Sequence, residues 1–236
     1  MKNINGPVVI GSGFIAKNFS NTFRKENILI FASGVSNSKT NNKKNFIREF
    51  TKLKKIQKKY SNKKIIYFST CSISDKSRNK NSYQLHKKKV EKFIKENFIK
   101  YLIFRLPEVI GKNKNKYTLT NFIYNRIISK KNIYTSNSVF RNILDIDDIK
   151  KVVIYFIKKK INKKTIIIAN LKMYSGLYIV KTFEKMLNKK AKIIINKKLN
   201  NKKFNLNVSG LKNIYKAINI KINNSYLQNK IKKYYK

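Results

Sequence analysis

The stretch Ile65-Ile66-Tyr67-Phe68-Ser69-Thr70 is a short apolar run that ends in two hydroxyl side chains. A run of this length between polar segments is typical of a buried strand. A segment with helical periodicity follows, and it opens with Tyr83-Gln84-Leu85-His86-Lys87. Tyr83 and Lys87 are four residues apart and therefore share one face of that helix. The sequence thus predicts a phenol and an ammonium behind a strand that ends in hydroxyls.

This order of side chains suits an enzyme that interconverts carbonyls and alcohols with a nicotinamide cofactor. A hydroxyl at the strand end would hold the substrate oxygen, and Tyr83 would move the proton. The Lys87 ammonium would favour the phenolate form of the tyrosine. The spacing alone has little weight in a chain with 14 Tyr, because it recurs at Tyr60/Lys64, Tyr155/Lys159 and Tyr226/Lys230. Only Tyr83/Lys87 follows a strand with terminal hydroxyls.

Composition limits the classes of protein that are possible. The 236 residues, 42% of them hydrophobic, suffice for one compact domain or for a large and a small lobe. We find no apolar run long enough to span a bilayer and no signal-peptide h-region, so we expect a cytoplasmic protein without a membrane partner. Cys71 and His86 are the only residues of their types. A single cysteine excludes an intrachain disulfide. Because one cysteine and one histidine are too few for a typical zinc site, we predict no metal site.

The net charge of +46 would, taken alone, indicate a nucleic-acid or anionic-surface partner. However, Lys, Asn and Ile are enriched together in predicted loops, helices and strands alike. A dedicated nucleic-acid protein concentrates its charge and interleaves arginine with aromatic residues. We therefore predict no specific nucleic-acid partner, although the charge favours binding of anionic substrates such as a dinucleotide or a sugar diphosphate.

A glycine-rich turn follows the first apolar run, Pro7-Val8-Val9-Ile10. The turn reads Gly11-x-Gly13-x-x-Ala16, between a predicted strand and a predicted helix, as a dinucleotide fingerprint requires. Gly11 would allow the tight turn, Gly13 would let the backbone approach a pyrophosphate, and Ala16 would keep the helix close to the sheet. The helix N-terminus would then offer free N–H groups, and we predict that Phe14 and Ile15 also contact the cofactor.

The remaining pattern alternates strands and helices and predicts an α/β fold with a parallel sheet. Strands are predicted at Ile28–Phe31, Tyr101–Phe104 and Thr165–Ala169, and helices at about 45–60, 83–97 with Ser82 as the cap, 120–129 and 149–158. One expected residue is missing, because Phe31 stands where a ribose-binding acid usually follows the second strand. Either lysines meet a 2′-phosphate, which favours NADP over NAD, or two strands have been deleted.

Several motifs in this order resemble the extended short-chain dehydrogenase/reductases, the family of nucleotide-sugar epimerases, dehydratases and 4-keto-sugar reductases. The likeness covers nearly the whole chain. The segments that carry it are Val9–Ala16, Phe31-Ala32-Ser33-Gly34, Phe68-Ser69-Thr70, Tyr83–Lys87, Arg105-Leu106-Pro107-Glu108-Val109-Ile110-Gly111, Arg141–Asp148 and the tail from Leu206. The resemblance implies a Rossmann-like sheet that lacks its second and third strands, together with a small C-terminal lobe.

The resemblance also implies roles for individual residues. The catalytic group would be Thr70, Tyr83 and Lys87. Besides the glycine turn, the expected cofactor-binding residues are Ala32, Ser33, Gly34, Ser69, Tyr83 and Lys87. The expected substrate-binding residues are Arg105, Glu108, Asn121 and Arg141, with the two arginines towards the diphosphate. Residues 1–112 plus 140–170 would form the dinucleotide domain, and 113–139 plus 171–236 the substrate lobe.

The departures from the family pattern narrow the function. Cys71 and Ser72 stand where dehydratases carry an Asp-Glu pair, so a dehydratase is disfavoured, and Glu108 replaces an Asn. The sequence therefore predicts an NAD(P)-dependent oxidoreductase or epimerase with a nucleotide-sugar substrate. It is compatible with a homodimer. The alternatives are a catalytically inactive dinucleotide-binding sensor or scaffold and, third, a charge-driven nucleic-acid binder.

Overall fold

The computed structural model describes residues 6–20, 22–23, 26–38, 40–74, 81–196 and 206–236. The strands are β1 Val8–Ile10, β2 Ile28–Phe31, β3 Lys64–Thr70, β4 Tyr101–Leu106, β5 Glu108–Ile110, β6 Asn132–Thr135, β7 Phe140–Arg141, β8 Ile143–Asp145, β9 Lys164–Ile167, β10 Tyr174–Ser175 and β11 Lys192–Ile195. The helices are α1 Phe14–Phe19, α2 Lys43–Lys59, α3 Ser82–Asn97, α4 Leu119–Ile128, α5 Ile146–Lys158, α6 Gly176–Leu187, α7 Leu211–Ala217 and α8 Tyr226–Tyr235.

The chain divides into two compact units. The first comprises Met1–Leu106 and Val153–Ile167, and the second comprises Pro107–Val152 and Ile168–Lys236. The prediction also builds each unit from two separate stretches of chain. Its boundaries lie at other residues than those observed. The predicted domain boundaries stay a prediction.

The first unit is built on a sheet of five parallel strands in the order β1-β2-β3-β4-β9. Its register pairs Val9 with Ile30, Ile30 with Ile66 and Ile66 with Leu102. These strands are continuous apolar runs because helices cover both faces of the sheet. The predicted α/β fold with a Rossmann-like parallel sheet is confirmed.

The two faces of this sheet carry different helices. On one face, Tyr67 packs with side chains of α2 and α3, including Leu53 and Val90. Phe68 points to the other face because strand side chains alternate. There its ring lies 5.0 Å from the ring of Phe19 in α1, and the neighbouring Phe104 lies 6.0 Å from Phe156 in α5. Helix α1 and the part of α5 that belongs to this unit therefore cover the face opposite α2 and α3.

Among the strands of the described residues, β1 lies at the edge of this sheet, and the chain steps from β1 to β4 in one direction. A doubly wound sheet instead has its first strand inside, with the second and third strands on the far side. Because α1 and α2 lie on opposite faces, the β1-α1-β2 and β2-α2-β3 crossovers have opposite hands, although nearly all such crossovers are right-handed. This arrangement results when two strands are removed from a doubly wound sheet, as the sequence predicts.

The second unit contains short strand pairs around a separate core. Among the described residues, β5 pairs with β8 and β6 with β11 in parallel, while β7 pairs with β10 antiparallel. The core includes Ile110, Ile123, Phe183 and Leu227, which join α4, α6 and α8 to the strand pairs. The sequence predicted only a mixed smaller lobe for the tail that follows Leu171.

One local prediction needs correction. Ser82 is predicted as the cap of the helix that carries Tyr83, but Asn81 is the cap and Ser82 is the first helical residue. The helix after the glycine turn, α1, ends at Phe19. The segment after β3 starts as a 3₁₀ turn, Cys71–Ser74, and residues 75–80 lie outside the described residues.

Candidate functional site

The predicted site residues of the first unit follow the carboxyl ends of its parallel strands. Gly11 follows β1, Ala32 follows β2, Thr70 ends β3 and Arg105 is the penultimate residue of β4. Carboxyl ends of parallel strands share one edge of a sheet, and this edge is where open α/β sheets bind ligands. The order of strands and helices is therefore enough to place these residues at one edge of the sheet.

The glycine turn is held against the segment after β2. Gly11 has φ +133, and a Cβ on it would lie 2.5 Å from the carbonyl oxygen of Ala32. Only glycine fits this close backbone approach. A Cβ on Gly13 would meet nothing within 4 Å, so the space beside the start of α1 is open. The contact of this turn with a cofactor phosphate stays a prediction.

A dinucleotide cofactor fits this edge only in part. The hydroxyl of Ser69 is buried at 6% exposure and has no hydrogen-bond partner within the described ranges, so a bound group could supply one. Together with the open space at Gly13, this suits the phosphate and nicotinamide portions. The fit to the adenosine portion is poorer, because β1 is an edge strand among the described residues and the fully buried Phe31 replaces a ribose-binding acid.

Helix α3 positions Tyr83 and Lys87 against β3. Its start is fixed by a capping box in which Asn81 Oδ1 accepts from Gln84 N, and Gln84 Oε1 accepts from Asn81 N, both at 2.9 Å. Tyr83 is 7% exposed and Lys87 is 2% exposed. The Lys87 Nζ lies 5.7 Å from the centroid of the Tyr83 ring and donates to the Tyr67 hydroxyl at 2.9 Å. The phenol and the ammonium are therefore neighbours inside the unit.

Glu49 of α2 completes this cluster, and sequence reasoning missed it. Its carboxylate accepts hydrogen bonds from Lys87 Nζ at 3.0 Å and from the Tyr67 hydroxyl at 2.9 Å. It also lies 2.9 Å from His86 Nε2. One signal was present, because Glu49 sits in the apolar stripe of α2 between Phe46 and Leu53, in a chain with only 10 Asp and Glu. An acid at such a core-facing position needs a buried partner.

The pKa values of this cluster follow from burial and charge. Burial acts to raise the pKa of Glu49, but the Lys87 ammonium and hydrogen bonds from His86 and Val35 N outweigh it and lower the pKa to about 2. Burial lowers the pKa of Lys87, while Glu49 opposes that change. Burial, followed by the charge of Glu49, raises the pKa of Tyr67. Tyr67 therefore stays protonated and serves as a hydrogen-bond donor.

The segment after β2 reaches the same cluster. A Cβ on Gly34 would lie 2.7 Å from Lys87 Nζ and 2.9 Å from Glu49 Oε1, so glycine leaves room for this pair. Val35 N donates to Glu49 Oε2 at 2.8 Å. Ser33 accepts a bond from Lys52 Nζ at 3.3 Å. The structure thus places Gly34 next to Lys87, whereas Ala32 lies against Gly11 and Ser33 contacts Lys52.

Thr70 is connected to the start of α3 through Ser72. The two hydroxyls are 3.0 Å apart, and Gln84 Nε2 donates to the Ser72 carbonyl oxygen at 2.6 Å. Thr70 Oγ1 also accepts from Ser72 N at 3.2 Å. These bonds hold the strand end beside the first turn of the helix that carries Tyr83. The catalytic role of Thr70 remains a prediction.

Arg105 is largely committed to partners within its own unit. Its Nε and Nη2 donate to the two carboxylate oxygens of Glu91 at 3.0 and 2.7 Å, and Nη1 donates to Ser74 Oγ at 3.1 Å. Such a bidentate pair fixes the guanidinium plane. The expected contact of Arg105 with a substrate diphosphate would have to use its remaining donors.

The other predicted substrate residues lie in the second unit. Burial raises the pKa of Glu108 on β5, although the charge of Arg141 opposes this. Asn121 is 8% exposed, and its Nδ2 donates to the carbonyl oxygens of Asn113 and Asn115 at 3.0 and 2.9 Å. Asn121 therefore organises a loop of its own unit. The substrate-binding roles of these three residues remain predictions.

In the part of the chain that the structure describes, no helix has the length and apolarity needed to cross a membrane. Within the same ranges, no group of three or more His, Cys, Asp or Glu side chains could hold a metal ion.

Several solved structures, two of them of sugar-nucleotide epimerases, share this fold. UDP-glucuronic acid 4-epimerase from Bacillus cereus, in complex with NAD, superposes with a TM-score of 0.66 at 17% identity, over 94% of this chain and 75% of the epimerase. RMD from Pseudomonas aeruginosa, complexed with NADPH, gives 0.67 at 10% identity, over 87% and 78% of the two chains.

A third neighbour is UDP-N-acetylglucosamine 4-epimerase from Methanobrevibacter ruminantium M1, solved with UDP-N-acetylmuramic acid. It gives a TM-score of 0.63 at 15% identity, over 89% of this chain and 75% of the epimerase. No family model and no curated protein matches the sequence. The fold that the resemblance implied is confirmed, and this chain is shortened relative to these structures.

Proposed function

We propose that the protein is an NAD(P)-dependent oxidoreductase or epimerase that acts on a nucleotide-activated sugar. The observation that carries this proposal is the buried Tyr83–Lys87 pair on α3, at the same sheet edge as the open glycine turn. The neighbours in fold, two sugar-nucleotide epimerases and a protein solved with NADPH, support the substrate and cofactor classes.

In this proposal the chain's own residues supply positioning and proton transfer. Gly11 and Gly13 would admit the pyrophosphate, and Ser69 with Gly34 would line the nicotinamide side. Thr70 would hydrogen-bond the substrate oxygen, and Tyr83 would give or take its proton as general acid or base. Lys87 would hold a ribose hydroxyl with the donor that Glu49 and Tyr67 leave. The bound cofactor would supply the hydride chemistry.

A panel of UDP- and dTDP-sugars and their 4-keto derivatives tests this function. Turnover would be followed by nicotinamide absorbance for reduction and by chromatography for epimerisation. Tyr83→Phe should lower kcat by a factor of about 100 or more, because general acid–base catalysis contributes that much. Tyr178→Phe, on an exposed phenol of the second unit, is the matched control. Full turnover by Tyr83→Phe would defeat the mechanism.

A second candidate is a catalytically inactive dinucleotide-binding sensor or scaffold. The edge position of β1 favours it, because the adenosine side of the crevice has lost its supporting strands. Calorimetry with NADH and NADPH separates the candidates. Binding without turnover on any member of the panel would favour the sensor, and no binding of either nucleotide would damage both proposals.

A further inference from the structure

Glu49 is a buried carboxylate with an unusually complete set of donors. It is 1% exposed and contacts groups from three other segments of the first unit. Oε1 lies 3.0 Å from Lys87 Nζ and 2.9 Å from the Tyr67 hydroxyl. Oε2 lies 2.8 Å from Val35 N and 2.9 Å from His86 Nε2. A buried carboxylate held this closely remains ionised and stays in one position.

The contact with Lys87 changes what that lysine can do for Tyr83. A lone ammonium 5.7 Å from the phenol ring would favour the phenolate, which is the form that removes a proton. With Glu49 at 3.0 Å, the two charges form a pair whose net charge is zero. The field of such a pair at Tyr83 is that of a dipole, which is much weaker than that of a single charge.

We propose that Glu49 is a positioning residue whose carboxylate holds the Lys87 ammonium and offsets its charge, so that Tyr83 rests as the neutral phenol. This inference rests on the proposed function and narrows it, because a neutral phenol is poised to donate a proton. In reduction of a sugar ketone, the carbonyl carbon would gain hydride from the reduced nicotinamide and the oxygen would gain the Tyr83 proton. The product is an alcohol, and solvent would reprotonate the tyrosinate.

Other charged groups near this pair do not reverse the argument. Glu91 of α3 also acts on Lys87 and Tyr67, but it is neutralised by the bidentate contact with Arg105. The ammonium of Lys52 on α2 donates a hydrogen bond to the Ser33 hydroxyl. The titratable groups that contact or act on the Lys87–Glu49 pair are Tyr67 of β3 and Tyr83, His86 and Glu91 of α3.

Tyrosine NMR measures the protonation of Tyr83 directly. The protein would be labelled with ¹³C at the tyrosine ζ carbon, and the Tyr83 signal assigned by its loss in Tyr83→Phe. Each variant would then be titrated from about pH 6 to pH 11, a range that brackets an ordinary tyrosine. This measurement needs neither cofactor nor substrate.

The expected result is a set of opposite shifts. Glu49→Gln should move the Tyr83 titration midpoint down by about one unit or more, because an unopposed cation favours the phenolate. Lys87→Met should move it up, because an unopposed carboxylate remains. The double variant should return close to the wild-type midpoint, since it removes both charges. Glu184→Gln, which removes another buried carboxylate beside a lysine in the second unit, should leave the midpoint unchanged.

Two results would overturn the proposal. One is an identical Tyr83 midpoint in the wild type and Glu49→Gln, and the other is a double variant that titrates at least one unit above the wild type. If Glu49→Gln does not fold, Lys87→Met and the charge-free double variant still decide the question. If the shifts appear but no sugar nucleotide is turned over, the proposed function fails while the role of Glu49 stands. If turnover is found without the shifts, Glu49 alone loses its role.

Discussion

Glu49 shows how one buried acid shapes the candidate site at the scale of single residues. Its four contacts join α2, β3, α3 and the segment after β2, and they keep Lys87 beside Tyr83. A buried ion pair of this kind gives little net stability, but loss of one partner leaves an uncompensated charge in the interior. We therefore expect substitutions at Glu49 to affect stability as well as chemistry.

The low pKa of Glu49 predicts a pH-dependent stability. A carboxyl whose pKa falls from 4.5 to about 2 on folding stabilises the protein above pH 4.5, and this contribution is lost as pH falls towards 2. The contribution is about 3 kcal/mol at neutral pH. Urea unfolding should therefore show Glu49→Gln far less stable than wild type at pH 7, with the gap narrowing between pH 5 and pH 3.

Glu96→Gln is the control for this experiment, because that carboxylate is 56% exposed and lies 3.7 Å from Lys92. An exposed pair of this kind contributes little, so the control should unfold with the wild type at each pH. A gap between wild type and Glu49→Gln that stays constant from pH 7 to pH 3 would contradict the assigned ionisation of Glu49.

At the scale of elements, the start of α3 decides where Tyr83 and Lys87 lie. Asn81 and Gln84 form the capping box, and Ser82 occupies the first helical position. Asn81→Ala should lower the free energy of unfolding by about 1 kcal/mol, because helix N–H groups lose their acceptor. Ser82→Ala is the matched control and should change it by less than about 0.5 kcal/mol. Urea midpoints measure both, and the reverse ranking would restore Ser82 as the cap.

Helix α8 is attached to α5 and β8 within the second unit through a buried phenol. The Tyr226 hydroxyl donates to Asp148 Oδ2 at 2.6 Å and accepts from Asp145 N at 3.0 Å, and burial followed by the Asp148 charge raises its pKa. Lys230 lies 2.7 Å from Asp145 and 3.1 Å from Asp148. The hydroxyl thus joins the helix to two acids at once.

Removal of that hydroxyl should be costly. Tyr226→Phe leaves the Asp145 N–H and the Asp148 carboxylate each short of a partner, so we expect a loss of about 2–3 kcal/mol in unfolding free energy. Denaturant titration followed by circular dichroism would measure it. Tyr178→Phe removes a hydroxyl from a 41% exposed ring and should have little effect. Equal stability of the two variants would show that the Tyr226 hydroxyl does not anchor α8.

The elements that sequence predicted well are those with a strong local signal. The apolar runs at Ile28–Phe31 and Ile65–Phe68 are typical of buried strands, and each lies inside a strand of the central sheet. The missing acid at Phe31 left two explanations open, a 2′-phosphate on the cofactor or the deletion of two strands, and the observed strand order agrees with the deletion. Capping was less predictable, since Asn81 and Ser82 are both good caps and only the backbone path decides between them.

The candidate site was predictable only where its spacing is local. Tyr83 and Lys87 share a helix face, so a single sequence suffices to pair them. The contact between Glu49 and Lys87 joins residues 38 positions apart on two helices, and local periodicity carries no information about it. The short strands of the second unit were missed for a related reason, because they pair across long separations and show little alternation of their own.

At the scale of the whole molecule, the fold and the charge act in opposite directions on nucleotide affinity. The net charge of +46 attracts any polyanion through long-range, salt-sensitive forces. The sheet, by contrast, offers a dinucleotide less than a doubly wound fold would, because β1 is its edge. In the proposed function, the specific part of dinucleotide binding would therefore come from the phosphate turn and the nicotinamide side.

This imbalance predicts a weak dependence on the adenosine half of the cofactor. Reduced nicotinamide mononucleotide should bind less than about tenfold more weakly than NADH, which corresponds to about 1.4 kcal/mol for the whole adenosine portion. Fluorescence of the reduced nicotinamide measures both dissociation constants. The comparison should be made near 0.5 M salt, where the Debye length is only about 4 Å and general attraction of the extra phosphate is screened. If NADH binds more than about a thousandfold tighter at that salt, the chain builds an adenosine site without the two missing strands, and the edge position of β1 no longer limits the cofactor.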